Sequence, residues 1–317
     1  MSTATALAHP NIALVKYWGK RDVRLNLPST SSLSLTLDTY RTRTTVTWGA
    51  ARDEVVVNGN LIAGSEAVRV RNFLDRVDPK RPPCQVVTDN NFPTAAGLAS
   101  SSSGFAALAL AATTAAGQRL TPAALSALAR QGSGSACRSL WGGWVVWDKG
   151  TQPDGGDSIG APLAGREHWD VRLIVVMISA GKKEVGSTEA MIRTMETSPL
   201  YAGWVASADE DLSRARRAVL DRDLGALGPV MEHSSLKMHG TMLAAHLPIR
   251  YWKPATLAAL DAVDSLRREG IGAWATMDAG PNVKVLCLAP DAAAVAERLR
   301  AVGEVAVLGV GPDARLV

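Results

Sequence analysis

Residues 92–104 read Phe-Pro-Thr-Ala-Ala-Gly-Leu-Ala-Ser-Ser-Ser-Ser-Gly and run straight into an apolar stretch at residues 105–112. The segment has almost no side-chain bulk, so it reads as a loop opening into a buried helix. The start of a helix leaves backbone N–H groups unpaired and carries the positive end of the helix dipole, which suits an anion. Small side chains let a phosphate approach the backbone, and serine hydroxyls can donate to it or bind its metal ion. A serine-rich turn before a core helix fits the composition equally well. The segment is not a Walker A loop, because no lysine follows the glycine where that loop needs one, and it is not a G-x-G-x-x-G dinucleotide turn.

Working outward, the chain before this loop is strand-like. Residues 33–37 alternate Leu-Ser-Leu-Thr-Leu, a period of two. Residues 12–15, 42–48, 54–57 and 85–88 read as further strands, and Asn58-Gly59 is a hairpin turn signal. Residues 65–77 suit a helix carrying Arg69. After the loop, Thr121-Pro122 marks a helix start as N-cap and first helical residue. Residues 143–147 read as a strand, 148–168 as loop, and 171–178 as a buried strand. Helical patterns then dominate at 187–195, 201–221, 223–246 and 255–269. The last part reads strand (271–277), turn, strand (283–288), helix (291–301), strand (304–308). This order predicts an α+β protein of two lobes, residues 1–180 and 181–317, with a cleft between them.

The 317 residues are 47% apolar and 20% charged, which describes a folded protein rather than a disordered one. The net charge of +4 is mild and without a dense Lys/Arg block, which argues against nucleic acid and fits an anionic small substrate. Cys84, Cys137 and Cys287 are far apart and odd in number, giving neither a disulfide framework nor a zinc spacing and suiting a reducing cytoplasm. The opening residues carry no basic segment or long apolar core of a secretion signal, and no run is long enough to span a membrane.

Three clusters beside the serine loop could do chemistry. Lys16-Tyr17-Trp18-Gly19-Lys20 follows a buried strand and could hold an oligo-anion, or be a solvated strand end. Gly132-Ser133-Gly134-Ser135-Ala136-Cys137-Arg138 offers close backbone approach, hydroxyl donors and a guanidinium able to grip a carboxylate or phosphate. It could equally be a flexible turn. Asp278, in Met-Asp-Ala-Gly-Pro-Asn, ends a strand and could orient or deprotonate a hydroxyl if Lys16 or Arg138 faces it; otherwise it caps a turn. No nucleophile motif is present, and His233 and His239 are six apart, which is not a metal spacing.

Residues 9–22, His-Pro-Asn-Ile-Ala-Leu-Val-Lys-Tyr-Trp-Gly-Lys-Arg-Asp, resemble the N-terminal signature of the diphosphomevalonate decarboxylase family. Leu25-Asn26-Leu27-Pro28 with Ser31-Ser32, the serine loop, residues 132–143 and residues 277–282 match the same family in order. The resemblance implies the GHMP kinase fold, with an N-terminal lobe like ribosomal protein S5 and a ferredoxin-like C-terminal lobe. It implies ATP-dependent phosphorylation of the 3-hydroxyl of mevalonate 5-diphosphate, followed by loss of phosphate and carbon dioxide. By family position, Tyr17, Lys20 and Arg69 hold the substrate diphosphate, with Ala13 and Trp18 lining that end. Ser133, Ser135 and Arg138 bind the diphosphate end and the carboxylate, Arg138 taking the carboxylate. Lys16 and Asp278 face the 3-hydroxyl, so Asp278, Lys16 and Arg138 are the catalytic group. Pro93, Ala95, Ala96, Gly97, Leu98, Ala99, Ser100, Ser101 and Ser102 hold ATP, with Ser101 on Mg²⁺. A cytoplasmic homodimer is expected, although the residues themselves do not set the oligomeric state.

One departure stands out. Many bacterial members carry Ser-Ser-Arg after the central strand, where this chain has Gly186-Ser187-Thr188. Ser187 can still reach a phosphate, but an arginine contact is lost. The rival readings are a kinase of the same scaffold that stops at the phosphate ester and a catalytically silent metabolite-binding protein.

Overall fold

Apolar side chains alternating along strands, and spaced at helical intervals elsewhere, give three main sheets separated by helices. The structure is a computed structural model that describes residues 2–92, 100–179, 181 and 184–317. The first part of the chain contains Ser2–Ala8 (β1), Asn11–Val15 (β2), Lys20–Asp22 (β3), Leu27–Pro28 (β4), Ser32–Thr36 (β5), Thr42–Trp48 (β6), Glu54–Val57 (β7), Asn60–Leu61 (β8) and Gly64–Val77 (α1). Cys84–Asn90 (β9), Ser100–Ala115 (α2), Pro122–Gly132 (α3), a short 3-10 turn at Gly134–Cys137, Trp144–Trp147 (β10) and Gly160–Ala164 (β11) follow. The rest contains Val171–Met177 (β12), Ser187–Thr197 (α4), Tyr201–Asp221 (α5), Leu224–Leu243 (α6), Pro254–Arg268 (α7), Ala273–Met277 (β13), Val283–Leu288 (β14), Ala292–Arg300 (α8), Glu304–Leu308 (β15) and Arg315–Leu316 (β16).

The first sheet runs β16-β1-β6-β9-β7-β8, the second β11-β10-β5-β2 and the third β13-β14-β12-β15; β3 and β4 form a separate pair. Helix α2 lies on β1 and β6, and its apolar run joins Phe73 and Val86 in one core. Helix α6 touches both β2 and β13, so it sits between the second and third sheets. The third sheet is covered on both faces. Leu173 and Val175 of β12 point into the core shared with Ile12, Leu35 and Met231, while Ile174 and Val176 point into the core beneath α7 and α8. Burial on both faces explains why this strand reads as a continuous apolar run.

Local signals behave as their chemistry requires. The Thr121 side chain accepts a hydrogen bond from the Ala124 N–H at the head of α3. Asn58 and Gly59 adopt φ of 50° and 77°, the left-handed values of a tight hairpin turn, and β7 pairs with β8 across them.

One segment differs from the sequence reading. Residues 148–168 are not all loop, because β11 pairs with β10 at the edge of the second sheet, with Pro162 opposite Val145. An edge strand tolerates a proline because one side of its ladder needs no donor, and the proline and glycine break the alternating pattern. Strand β12 pairs with β14 and β15 of the third sheet. Strand β16 returns from the end of the chain to pair with β1.

The connection between α3 and the second sheet depends on Arg130, which is fully buried. Its guanidinium donates to the carbonyls of Leu25 (3.1 Å), Gly155 (2.7 Å) and Ser158. Arg130→Met fills the volume but strips three carbonyls of their donor, two of them buried and that of Leu25 half-buried. We expect a loss of about 3 kcal/mol, read as a lower thermal unfolding midpoint; an unchanged midpoint would refute this role for Arg130.

Candidate active site

Strand β2 is fully buried and ends at Val15, so the next residues emerge directly at the mouth between the second sheet and α6. The Lys16 N–H donates to Ser234 Oγ on α6 at 3.0 Å. The adjacent Ser235 hydroxyl accepts from the Met277 N–H at 2.8 Å and donates to the Met277 carbonyl at 3.2 Å, at the end of β13. Two neighbouring serines on one helix thus pin two strand ends side by side. Their side chains bring Lys16 and Asp278 together, 262 residues apart, with Lys16 Nζ 2.7 Å from Asp278 Oδ1. Lys16 Nζ also donates to the Ala13 carbonyl at 2.7 Å.

Asp278 has a second cation. Lys284 Nζ, on β14, lies 3.1 Å from Oδ2. Burial opposes ionisation of Asp278, but the two lysines overcome it and hold the carboxyl well below the usual carboxylate range. Burial brings Lys16 down to about 8, partly offset by Asp278 and reinforced by Lys284 and Arg138. His239 of α6 is buried against Trp252, near Asp278. Burial, aided by Lys16, lowers its pKa to about 3, so it is neutral in the working range.

Arg138 follows the 3-10 turn and is buried. Its Nε donates to Asn11 Oδ1 at 3.1 Å and its Nη1 to Ser32 Oγ at 2.5 Å, and its guanidinium lies 5.6 Å from the Trp147 ring centroid. Asn11 is fixed in turn by donating to the Ser135 carbonyl (3.1 Å) and to Ser139 Oγ (2.8 Å). The fork is therefore held from behind. Tyr17 stands beside it, 4.6 Å from Trp147 between ring centroids. Its hydroxyl is buried with no partner among the described residues, and burial raises its pKa. A Cβ on Gly134 would come within 2.9 Å of that hydroxyl, so the glycine leaves room for Tyr17.

Lys20 Nζ donates to Asn26 Oδ1 at 2.7 Å, and burial, with Arg69 nearby, lowers it to about 8. Arg69 donates to the Gly132 carbonyl at 2.7 Å and its guanidinium lies 4.6 Å from the Phe105 ring centroid. Ser101 Oγ is 3.2 Å from Ser133 Oγ, which places the head of α2 against the Ser133 turn.

These groups share one cleft of about 1600 Å³. Ala13, Lys16, Tyr17, Trp18, Lys20, Arg69, Ser100, Ser101, Ser133, Ser135, Arg138, Ser187 and Asp278 all line it. Ser102 does not: it is fully buried, because successive helical residues turn about 100° and the next position after Ser101 faces inward. Pro93, Ala95, Ala96, Gly97, Leu98 and Ala99 lie outside the described residues. Part of the lining is apolar, a slot of Val55, Val57, Ile62, Val86 and Leu108.

Sequence reasoning missed that slot, together with Lys284, His239, Asn11 as the support of Arg138, and the Ser234–Ser235 clamp. Lys284 did leave a signal, since a lysine inside the apolar run of β14 is costly to bury without a partner. The lost arginine next to Ser187 is not replaced at position 188, which is Thr188 on the cleft wall.

No group of three or more His, Cys, Asp or Glu among the described residues could hold a metal alone. Mg²⁺ keeps waters and borrows phosphate oxygens. Ser100 and Ser101, at the head of α2, therefore fit Mg²⁺ arriving on nucleotide phosphates rather than a resident ion.

The Asn11 support is testable. Asn11→Ala removes the acceptor at Arg138 Nε and should weaken binding of a carboxylate-bearing ligand by about tenfold, measured by titration calorimetry; equal affinity would show that Arg138 holds its direction without Asn11.

Similarity to known proteins agrees with this geometry. Residues 8–160 match the diphosphomevalonate decarboxylase-like N-terminal domain, and residues 173–306 match the mevalonate 5-diphosphate decarboxylase C-terminal domain. A diphosphomevalonate decarboxylase of Aspergillus fumigatus is 40% identical, over 94% of this chain and 80% of its own length. A mevalonate diphosphate decarboxylase structure from Staphylococcus aureus is similar with TM-score 0.95 and 35% identity, covering 100% of this chain and 98% of its own. A structure described as MDDEF in complex with MVAPP, AMPPCP and magnesium has TM-score 0.94 and 40% identity, covering 100% and 99%. The fold is that of the GHMP kinases, and the chain belongs to the diphosphomevalonate decarboxylase family.

Proposed function

We propose that the chain uses ATP to convert mevalonate 5-diphosphate into isopentenyl diphosphate, ADP, phosphate and carbon dioxide, a step of isoprenoid synthesis. Family membership supports this reaction. The observation that carries the residue roles is Asp278, ionised between two lysines, sharing a cleft with the buried guanidinium of Arg138.

The substrate diphosphate lies against Tyr17, Lys20, Arg69, Ser133, Ser135 and Ser187, with Ala13 and Trp18 as walls. The unpartnered Tyr17 hydroxyl and the excess of cations both favour an oligo-anion there. Arg138 takes the substrate carboxylate. The 3-hydroxyl then meets Lys16 and Asp278. The adenine base fits the apolar slot of Val55, Val57 and Ile62, and the phosphates fit at the serine loop and the head of α2, where Ser100 and Ser101 would hold Mg²⁺ with them. When bound, Mg²⁺ neutralises phosphate charge.

The 3-oxygen forms a bond to the γ-phosphorus as the bond from that phosphorus to the ADP oxygen breaks, and the hydroxyl proton passes to an oxygen of the transferred phosphoryl group. Such a transfer depends mainly on positioning and electrostatics. Asp278 accepts the hydroxyl's hydrogen bond and fixes the oxygen's direction. Next, the bond from C3 to the phosphate oxygen breaks and positive charge builds on C3, near the Asp278 carboxylate. The C1–C2 bond then breaks, its electron pair becomes the C2=C3 double bond, and carbon dioxide leaves. Arg138 aims the carboxylate throughout without reacting.

We keep the reading of two lobes, residues 1–180 and 181–317; the separate family matches to residues 8–160 and 173–306 support a chain of two parts. We place the enzyme in the cytoplasm on its three buried free thiols, and we take a homodimer as the working assembly. No helix among the described residues is long and apolar enough to cross a membrane.

Three measurements test the reading. Stoichiometric ADP and carbon dioxide from ATP and mevalonate 5-diphosphate are expected; ADP without carbon dioxide would favour a kinase that stops at the ester. Asp278→Asn should lower kcat by about 10³-fold with KM within several-fold, and Arg138→Ala should lower kcat/KM more than about tenfold. Near-normal turnover in either removes that residue from its role.

The third is a pH profile. Lys16 and Lys20 are charged below about 8 and lose that charge above it. The anionic substrate needs the charge, so kcat/KM should fall above pH 8 with a limiting log slope of about −2. Lys20→Arg, always charged, should reduce that slope to about −1. A flat wild-type profile to pH 10 contradicts the assignment.

A further inference from the structure

Strand β14 is an apolar run in a sheet covered on both faces, and Lys284 is its one charged residue. The side chain is 2% exposed. A lone buried ammonium is costly, and a buried pair is retained for stability only when its geometry is good. Lys16 already supplies Asp278 with a counter-ion, so charge balance alone does not call for a second one. Lys284 stands opposite Thr276 on β13, two residues before Asp278, so the hairpin itself aims its side chain toward that carboxylate. Its Nζ is 3.1 Å from Oδ2 and 3.5 Å from the Asn282 carbonyl across the same turn. Lys16 occupies Oδ1. Each oxygen of the carboxylate therefore has its own cation, delivered from a different sheet.

We propose that Lys284 is a positioning residue of the reaction: with Lys16 it clamps both oxygens of Asp278, fixing the carboxylate's direction and keeping it an anion from substrate binding to product release. This rests on the role given to Asp278 above. A single ion pair leaves a carboxylate free to rotate about its last bond, whereas two cations on opposite oxygens do not. They also resist the protonation that burial favours. The groups facing Asp278 are Lys16 from the end of β2, Lys284 from β14 and His239 from α6, with Arg138 beyond Lys16. His239 is neutral above about pH 3 and Arg138 stays charged, so neither accounts for a titration between pH 4 and 8.

Removing the Lys284 charge relaxes Asp278 upward, because a cation that favoured its anion is gone. It also relaxes Lys16 upward, because a like charge is gone. Within the assayed range the Lys16 step of the alkaline limb therefore moves up while the Lys20 step, which Lys284 does not touch, stays, and loss of packing alone does not produce that split. The experiment compares Lys284→Met, Lys284→Gln and Lys284→Arg in steady-state carbon dioxide release between pH 4 and 10. We expect the Met and Gln variants to lose about 10²-fold in kcat with KM for both substrates within about threefold, and the Lys16 step of the alkaline limb of kcat/KM to move up while the Lys20 step stays in place. Lys284→Arg, which keeps the charge, should recover at least tenfold of that loss and the wild-type limbs. In an Asp278→Asn background, Lys284→Gln should cost less than about threefold more, since its partner is already neutral. The Gln variant keeps volume and polarity and reports even if Met disturbs the hairpin. Wild-type kcat and limbs in Lys284→Gln overturn the proposal, as does a full additional loss in the Asp278→Asn background. Absence of carbon dioxide from the wild type would instead overturn the reaction assigned above.

Discussion

The Lys16–Asp278 ion pair is the constraint on which the site depends. Its partners come from strands of different sheets and are 262 residues apart in the chain. They meet only because α6 lies between those sheets and offers Ser234 to one strand end and Ser235 to the other. A serine inside a helix normally competes for local backbone bonds. Here the two hydroxyls satisfy backbone groups of other elements, so the helix aligns Lys16 with Asp278 as well as separating the layers.

The charge distribution follows from what the cleft must hold. Lys16, Lys20, Arg138 and Lys284 are buried about Asp278 and the turn at Ser133, with Arg69 more exposed beside them; among the described residues the glutamates of the cleft, Glu66, Glu184, Glu189 and Glu196, are exposed. An excess of buried cations is unfavourable in the empty protein. Burial shows its effect in Lys16 and Lys20, both lowered to about 8. A diphosphate and a carboxylate reverse that imbalance on binding, so part of the binding energy comes from relieving it.

Much of the secondary structure was legible because two periods suffice to read it. Strands β6, β7, β14 and β15 and helix α5 coincide with their apolar patterns, and Thr121-Pro122 and Asn58-Gly59 carry their own turn chemistry. Edge strand β11 was not legible, because Pro162 and Gly160 break the pattern at an edge that tolerates them. The membership of β12 was not legible either. A continuous apolar run says that both faces are buried but not which sheet buries them.

For the site, the residue types and their spacing marked the Lys16–Lys20 segment, the Ser133–Arg138 turn and Asp278, and resemblance to a family gave them roles. Each motif is local, so the sequence by itself could determine it: glycine for close approach, serine for hydroxyl donors, arginine for a planar fork. What pairs with what is nonlocal. Only the tertiary structure turned Ser102 inward, set Asn11 behind Arg138, put the apolar slot beside the serine helix, and brought Lys284 to the second oxygen of Asp278. The physical reason is that a side chain's charge and shape are written in its own residue. Its desolvation and its partner are set by elements hundreds of residues away.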